Sequence, residues 1–193
     1  MSSDAPAFTQ LECTEALVDH SPAETAFVSN LGVSSWVLSA VADRDRNYYM
    51  KGGMGTTTPV GLGVALGTDV PVTVLDGDGS ILMSLGTLST VSQVDPPNLT
   101  VVVMDNSEFA TTGGQPSLAT ETDIAAVAED CGIVGEHVTS ADELKAAYVT
   151  ALDHDGPTLL NCRVSTTVPE EYPQPDYAHS YRKHRFRTAM TKE

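Results

Sequence analysis

The sequence predicts an α/β fold: a doubly wound, mostly parallel sheet with helices on both faces. Three observations predict it. Four short segments are apolar almost throughout, as strands covered on both faces are. Between them lie stretches whose apolar residues recur at helical spacing. The two kinds of segment alternate along the chain, which is the pattern of strand–helix–strand units.

The strands are Glu24 to Asn30 (ETAFVSN), Val72 to Asp76 (VTVLD), Leu99 to Asp105 (LTVVVMD) and Thr158 to Val164 (TLLNCRV). The segment TTTPVGLGVALGTD reads as a helix of small residues suited to close packing. Ile81, Leu85, Leu88, Val91 and Val94 predict one helix after the second strand. Ile124, Val127, Ala128 and Cys131 predict another behind a Thr120…Asp123 capping pair. Ser140 and Glu143 make a similar box ahead of Leu144, Ala147, Tyr148 and Ala151. No internal repeat is present. Residues 1–168 read as one domain; from Pro169 the chain turns proline-rich and polar (VPEEYPQPDY), which predicts an extended, partly basic tail over 169–193.

A chain of 193 residues is about one domain, and its 41% apolar content suits a packed core. No run approaches the roughly 20 apolar residues of a membrane span. The start, MSSDAPAFTQLE, lacks the basic-then-apolar order of a secretory signal, so a cytoplasmic protein is expected. Cys13, Cys131 and Cys162 lie far apart and form no CxxC pair, against a disulfide framework, zinc site or iron–sulfur cluster. The net charge of −16 sets nucleic-acid binding aside. An acidic, lysine-poor surface also suits high salt, and a halophilic source is expected. Arg182, Lys183, Arg185, Arg187 and Lys192 fall in the last twelve residues; they are either a frayed tail or a docking segment for an acidic partner.

The stretch VTVLDGDGSILM carries the chemistry. It is no EF-hand: counting from Asp76, the sixth and twelfth positions are Ile81 and Thr87, where glycine and glutamate are required. What remains is a strand, a glycine-rich turn and a helix. Such a turn brings backbone N–H groups close to a ligand and favours phosphate. Asp78 would repel a bare phosphate, and a magnesium ion bridging the two resolves that conflict. Asn106 ends the next strand 28 residues on, close to the roughly 30 residues of a strand–helix–strand unit, so both side chains emerge at adjoining strand ends. Three loops, NLGVSS, GDGS and NSEFATTGGQPS, follow strand ends and should converge on one crevice.

GDG followed at this interval by asparagine resembles the signature of thiamine-diphosphate enzymes, in the domain that grips the diphosphate. KGGMG (Lys51 to Gly55) is similar to the family segment beneath the aminopyrimidine ring. GDGSILMSLGTLST and MDNSEFATTGGQPS resemble the β subunit of sulfopyruvate decarboxylases and the matching domain of phosphonopyruvate decarboxylases, from about Val28 to Val134. The resemblance implies a thiamine-diphosphate-binding fold and the cofactors thiamine diphosphate and Mg2+. It implies that Asp78 and Asn106 ligate the metal through side chains and Glu108 through its carbonyl. Gly77, Gly79 and Ser80 would hold the diphosphate, and Ser35 would lie near it. Gly52 and Gly53 would meet the pyrimidine, Gly52 through its carbonyl, with Met54 the apolar wedge beneath the cofactor. Thr112, Gly113, Gly114 and Gln115 match a loop that closes the site.

The resemblance further implies a 2-oxo acid decarboxylase, most closely one turning sulfopyruvate into sulfoacetaldehyde and CO2 in coenzyme M synthesis. Its activating glutamate belongs to a separate pyrimidine-binding domain. With some 23 residues ahead of the first strand, no catalytic residue is assigned to this chain, and that domain is expected on an α subunit of a hetero-oligomer. Relatives carry Ser-Arg where this chain has Ser35-Trp36; if that arginine meets an anionic substrate group, its loss bears on sulfonate or phosphonate specificity. Phosphonopyruvate or another 2-oxo acid is the alternative substrate. A regulatory module binding magnesium and phosphate is the non-enzyme alternative. His20, His137, His154, His179 and His184 are expected on the surface, and Asp105 is expected to be structural.

Overall fold

The structure, a computed structural model, describes residues 8–167, 172 and 175–191. In chain order the elements are α1 (Gln10–His20), β1 (Ala26–Ser29), α2 (Val33–Ala42), β2 (Asn47–Tyr49), α3 (Thr57–Ala65), β3 (Val72–Gly77), α4 (Asp78–Leu82), α5 (Gly86–Val94), β4 (Leu99–Asp105), β5 (Glu108–Phe109), β6 (Gln115–Pro116), α6 (Ile124–Asp130), β7 (Val134–Val138), α7 (Ala141–Leu152), β8 (Thr158–Arg163) and α8 (His179–Met190). Six strands form one sheet in the order β2-β1-β3-β4-β8-β7, every neighbouring pair parallel. The short pair β5–β6 is antiparallel and stands apart, in the loop after β4.

Strand residues alternate between two apolar layers, as the pleat requires. Val101 and Val103 join Val28, Val74 and Leu159 against α3, α4, α5, α6 and α8. Val102 and Met104 join Phe27, Leu75 and Leu160 against α1, α2 and α7. The four strands expected from the sequence are all present, within two residues at each end. Two more complete the sheet. β2 has three residues, and β7 is an edge strand largely exposed to solvent, so neither shows an apolar run.

The helices differ more. The single helix expected over Ile81 to Val94 breaks into α4 and α5, because the turn at Met83–Leu85 redirects the chain. Asp123 alone caps α6, accepting from Ala126 N at 2.9 Å, whereas Thr120 sits in a preceding 3-10 turn. Ser140 caps α7 as expected, but the Glu143 carboxylate reaches Thr139 N rather than closing the box on Ser140. The tail expected over 169–193 as extended is helical from His179 to Met190. That helix is polar on nearly every face and shows no apolar stripe, so its period is hidden in the sequence. Ion pairs and buried groups hold it instead. Arg185 pairs with Asp43 at 2.9 Å and Asp45 at 2.8 Å, and Phe186 packs into the core. Arg182, 5% exposed, donates to the carbonyls of Tyr177 (3.1 Å), Tyr49 (3.4 Å) and Pro175. Lys192, counted among the tail's bases, lies outside the described residues, as do 168–171. No helix among the described residues is long and apolar enough to cross a membrane.

The small-residue character of α3 has a direct cause. A Cβ at Gly61 would sit 2.1 Å from Val74 Cγ2, so the helix approaches β3 only because that side chain is absent. A Cβ at Gly63 meets nothing within 4 Å. Gly61→Ala should therefore destabilise the chain by about 1–3 kcal/mol through overpacking. Gly63→Ala should stabilise it by up to about 1 kcal/mol through helix propensity. Urea unfolding of the two variants checks the opposite signs.

Candidate functional site

The carboxyl ends of β1, β3 and β4 open on one cleft of about 130 Å3, where the strand order reverses between β1 and β3. Its walls come from Asn30 to Ser34 after β1, Gly77 to Ser80 after β3, and Asn106 to Thr112 after β4. Met54 enters from the loop after β2, and Gln10 from the start of α1. The three expected loops do converge.

The turn after β3 is pinned from several sides. Asp76 is fully buried; its carboxylate accepts from Thr58 Oγ1 at 2.8 Å and from Gly77 N at 3.0 Å. Asp78, 2% exposed, accepts from Ser117 Oγ. Burial pushes both carboxyls above the usual carboxylate range. At Asp78 the Ser117 hydroxyl works the other way, while the charge of Asp105 adds to the upward push. A buried carboxylate so placed, with no cationic side chain beside it among the described residues, is stabilised by any cation that reaches it. Ser80 Oγ accepts from Gly55 N at 3.0 Å, which ties KGGMG to this turn. Gly79 lies under the Phe109 ring: a Cβ there would be 2.3 Å from Cε1. The glycine is required by close approach rather than by backbone angle.

The loop after β4 is organised by Asp105. Its Oδ1 accepts from Ser107 N at 3.0 Å and Ser107 Oγ at 3.1 Å, and pairs with Arg163 at 3.0 Å. This holds Ser107 at φ +56°, a left-handed conformation that non-glycine residues seldom adopt. Asn106 then projects into the cleft, its Oδ1 accepting from Glu108 N at 3.1 Å. Ser117 N donates to Ser107 O at 2.8 Å, so the residue that touches Asp78 is fastened to the same turn.

Asp78, Asn106 and Glu108 thus bring a carboxylate, a carboxamide and a further oxygen-bearing residue to the lining of one cleft. Such hard oxygens suit Mg2+, which accepts one or two carboxylates and completes its shell with water and phosphate oxygens. No group of three or more His, Cys, Asp or Glu able to hold a metal occurs among the described residues, so an all-protein cage is not what this site resembles.

Of the residues singled out from sequence, Met54, Gly77, Asp78, Gly79, Ser80, Asn106, Glu108 and Thr112 line the cleft. Gly113 lies just beyond it at φ +121°, followed by Gly114 at φ +71°, in a turn closed by Gln115 Nε2 donating to Thr112 O at 2.8 Å. Gly52 and Gly53 are exposed at φ +78° and +71°; they shape the loop that delivers Met54 without lining the cleft themselves. Ser35 differs from expectation. It is 1% exposed and turned into the core, donating to Asn30 O at 2.6 Å and lying 2.9 Å from Ser29 Oγ. Its neighbour Ser34 faces the cleft instead. Trp36 is half-buried, its Nε1 buried without a hydrogen-bond partner. None of the histidines lines the cleft.

Gln10 is the residue that sequence reasoning missed. Its Nε2 donates to Ser34 Oγ at 3.0 Å on the cleft wall. The signal was present as the box Thr9…Glu12, whose reciprocal bonds start α1 and so place Gln10.

The thiamine pyrophosphate enzyme family, C-terminal TPP binding domain, matches residues 32–162. The chain is similar to a phosphonopyruvate decarboxylase of Streptomyces viridochromogenes, 42% identical over 95% of this chain. The chain spans 46% of that relative's length. It is similar to the sulfopyruvate decarboxylase subunit beta of Methanocaldococcus jannaschii, 35% identical over 83% of this chain and 84% of that one. Among solved structures, the benzoylformate decarboxylase of Polynucleobacter necessarius superposes with a TM-score of 0.77 at 25% identity, covering 88% of this chain and 36% of its own. The fold, the glycine-rich turn after β3 and these matches lead to one conclusion: the chain belongs to the thiamine pyrophosphate enzymes, as their C-terminal TPP binding domain.

Proposed function

We propose that this chain is the diphosphate-binding β subunit of a heteromeric thiamine-diphosphate-dependent 2-oxo acid decarboxylase, with sulfopyruvate as its substrate. The observation that carries the reading is the buried Asp78 carboxylate beside Asn106 in a cleft whose lining contains no basic side chain among the described residues. A diphosphate needs positive charge there, and Mg2+ held by Asp78, Asn106 and the Glu108 carbonyl supplies it. Gly79 and Ser80 offer backbone N–H groups at the start of α4, and Ser34 rather than Ser35 offers a hydroxyl. Gly52 would offer its carbonyl to the aminopyrimidine, and Met54, which lines the cleft, would pack against the cofactor. Thr112 and Gly113 belong to the segment that covers the site. When bound, thiamine diphosphate supplies the electron sink that lets CO2 leave a 2-oxo acid.

The subunit relative aligns over most of its own length, which supports a separate α subunit bringing the pyrimidine-binding domain and its activating glutamate. The identity to phosphonopyruvate decarboxylase is higher, and this favours phosphonopyruvate as the second substrate to try. Reconstitution decides between them. The chain alone should release no CO2 from either acid. With a sulfopyruvate decarboxylase α subunit, cofactor and Mg2+, it should decarboxylate sulfopyruvate. Turnover of phosphonopyruvate alone would transfer the assignment to that acid, and activity of the isolated chain would refute the two-subunit reading.

The metal reading has its own check. Asp78→Asn removes a buried charge and keeps the shape. Without metal, the variant should melt a few degrees higher than the native chain, at about 2–4 °C per kcal/mol for this length. Millimolar Mg2+ with inorganic pyrophosphate should raise the melting temperature of the native chain and leave that of Asp78→Asn unmoved. Equal shifts in both would remove Asp78 from the metal site.

A further inference from the structure

The basic segment at the C-terminus has no part in the cleft, and α8 divides its members. Arg182 and Arg185 are fasteners, the first buried among carbonyls and the second paired with Asp43 and Asp45. Lys183 and Arg187 are four positions apart and so share one face of the helix. Neither forms an ion pair among the described residues. Both line the edge of a groove of about 380 Å3 between α8 and α3, on the layer opposite α1, α2 and α7.

The groove's interior is apolar: Val60 and Val64 from α3 face Phe186 and Met190 from α8, with Tyr48 of β2 beside them. The Tyr48 and Phe186 rings lie 5.4 Å apart and close one side. Gly63 leaves room, since a Cβ there would meet nothing within 4 Å. The volume falls within the range of small-molecule sites, which are mostly apolar with a few polar groups that fix orientation. The charge selects the ligand. In a chain of net charge −16, two cations one helical turn apart, without an ion-pair partner among the described residues, favour an anionic head.

We propose that this groove binds a small amphipathic carboxylate. Its aliphatic body lies between α3 and α8, and its carboxylate meets Lys183 and Arg187. The site is separate from the cleft and stands whether or not the proposed reaction is right.

Sodium octanoate is the probe, titrated into the full chain by calorimetry with 1-octanol as the neutral counterpart. Saturable octanoate binding is expected, at least tenfold tighter than that of octanol. The double variant Lys183→Glu/Arg187→Glu should weaken octanoate at least tenfold. Gly63→Leu, which fills the groove from within a regular helix, should abolish binding while the circular dichroism melt stays cooperative. The proposal is overturned by the absence of saturable binding, by octanol binding as well as octanoate, or by affinity unchanged in Gly63→Leu. Sedimentation showing a dimer of the native chain that Gly63→Leu dissociates would also overturn it, since a second copy would then fill the groove.

Discussion

Two buried carboxylates two residues apart, Asp76 and Asp78, are the constraint on which the rest of the cleft depends. Burial without a cationic partner disfavours their charged forms, so each is held by neutral donors drawn from other segments. Thr58 at the start of α3 reaches Asp76, and Ser117 beyond the loop after β4 reaches Asp78. Ser80, in the same turn, takes the Gly55 amide. Two segments distant in sequence, Gly55 to Thr58 and Ser117, are thereby fixed to the five residues from Asp76 to Ser80. The donors to Asp76 satisfy a structural acid. Asp78 accepts from Ser117 and from main-chain N–H groups of its own turn, and its carboxylate lines the cleft, whereas that of Asp76 does not; this difference separates scaffold from site.

The sheet supplies the place for that turn. All six strands run parallel, so every strand's carboxyl end lies on one edge. The order reverses between β1 and β3, and there the following helices depart to opposite faces. A gap is left by topology, and side chains tune it. Phe109 lies over Gly79, and Asp105 forces Ser107 into a left-handed conformation that turns Asn106 inward. The C-terminal helix secures the far side of the same construction, since Arg182 bonds to the carbonyl of Tyr49 at the end of β2, just ahead of the loop that carries Met54.

Identity and coverage pull apart in this family. The more identical relative is about twice the length of this chain, whereas the subunit relative is close to it in extent. The departure at Trp36 stands in the same balance. Its indole N–H is buried without a hydrogen-bond partner among the described residues, and the side chain does not line the cleft. Nothing basic lines the cleft among the described residues.

Local pattern determined a great deal. The apolar runs at Val72 and Leu99 fixed the central strands, because strands buried on both faces carry the signal in every residue. DGDGS and Asn106 located two strand-end tips that line one cleft, because their spacing is one strand–helix–strand unit. The glycines of KGGMG and of the segment Gly113–Gly114 take positive φ, which only glycine adopts freely. Tertiary structure decided what no local pattern carries. The edge strands β2 and β7 exist through pairing with a neighbour. Helix α8 exists through Arg182, Arg185 and Phe186 docking on remote residues. Ser34 rather than Ser35 faces the cleft because α2 begins at Val33, and the first turn of a helix sets which of two adjacent side chains points outward. Gln10 reaches the site across twenty-four positions of sequence to Ser34. Spacing along the chain specifies elements and turn chemistry; orientation within a turn, and contacts between distant segments, are set only when the layers pack.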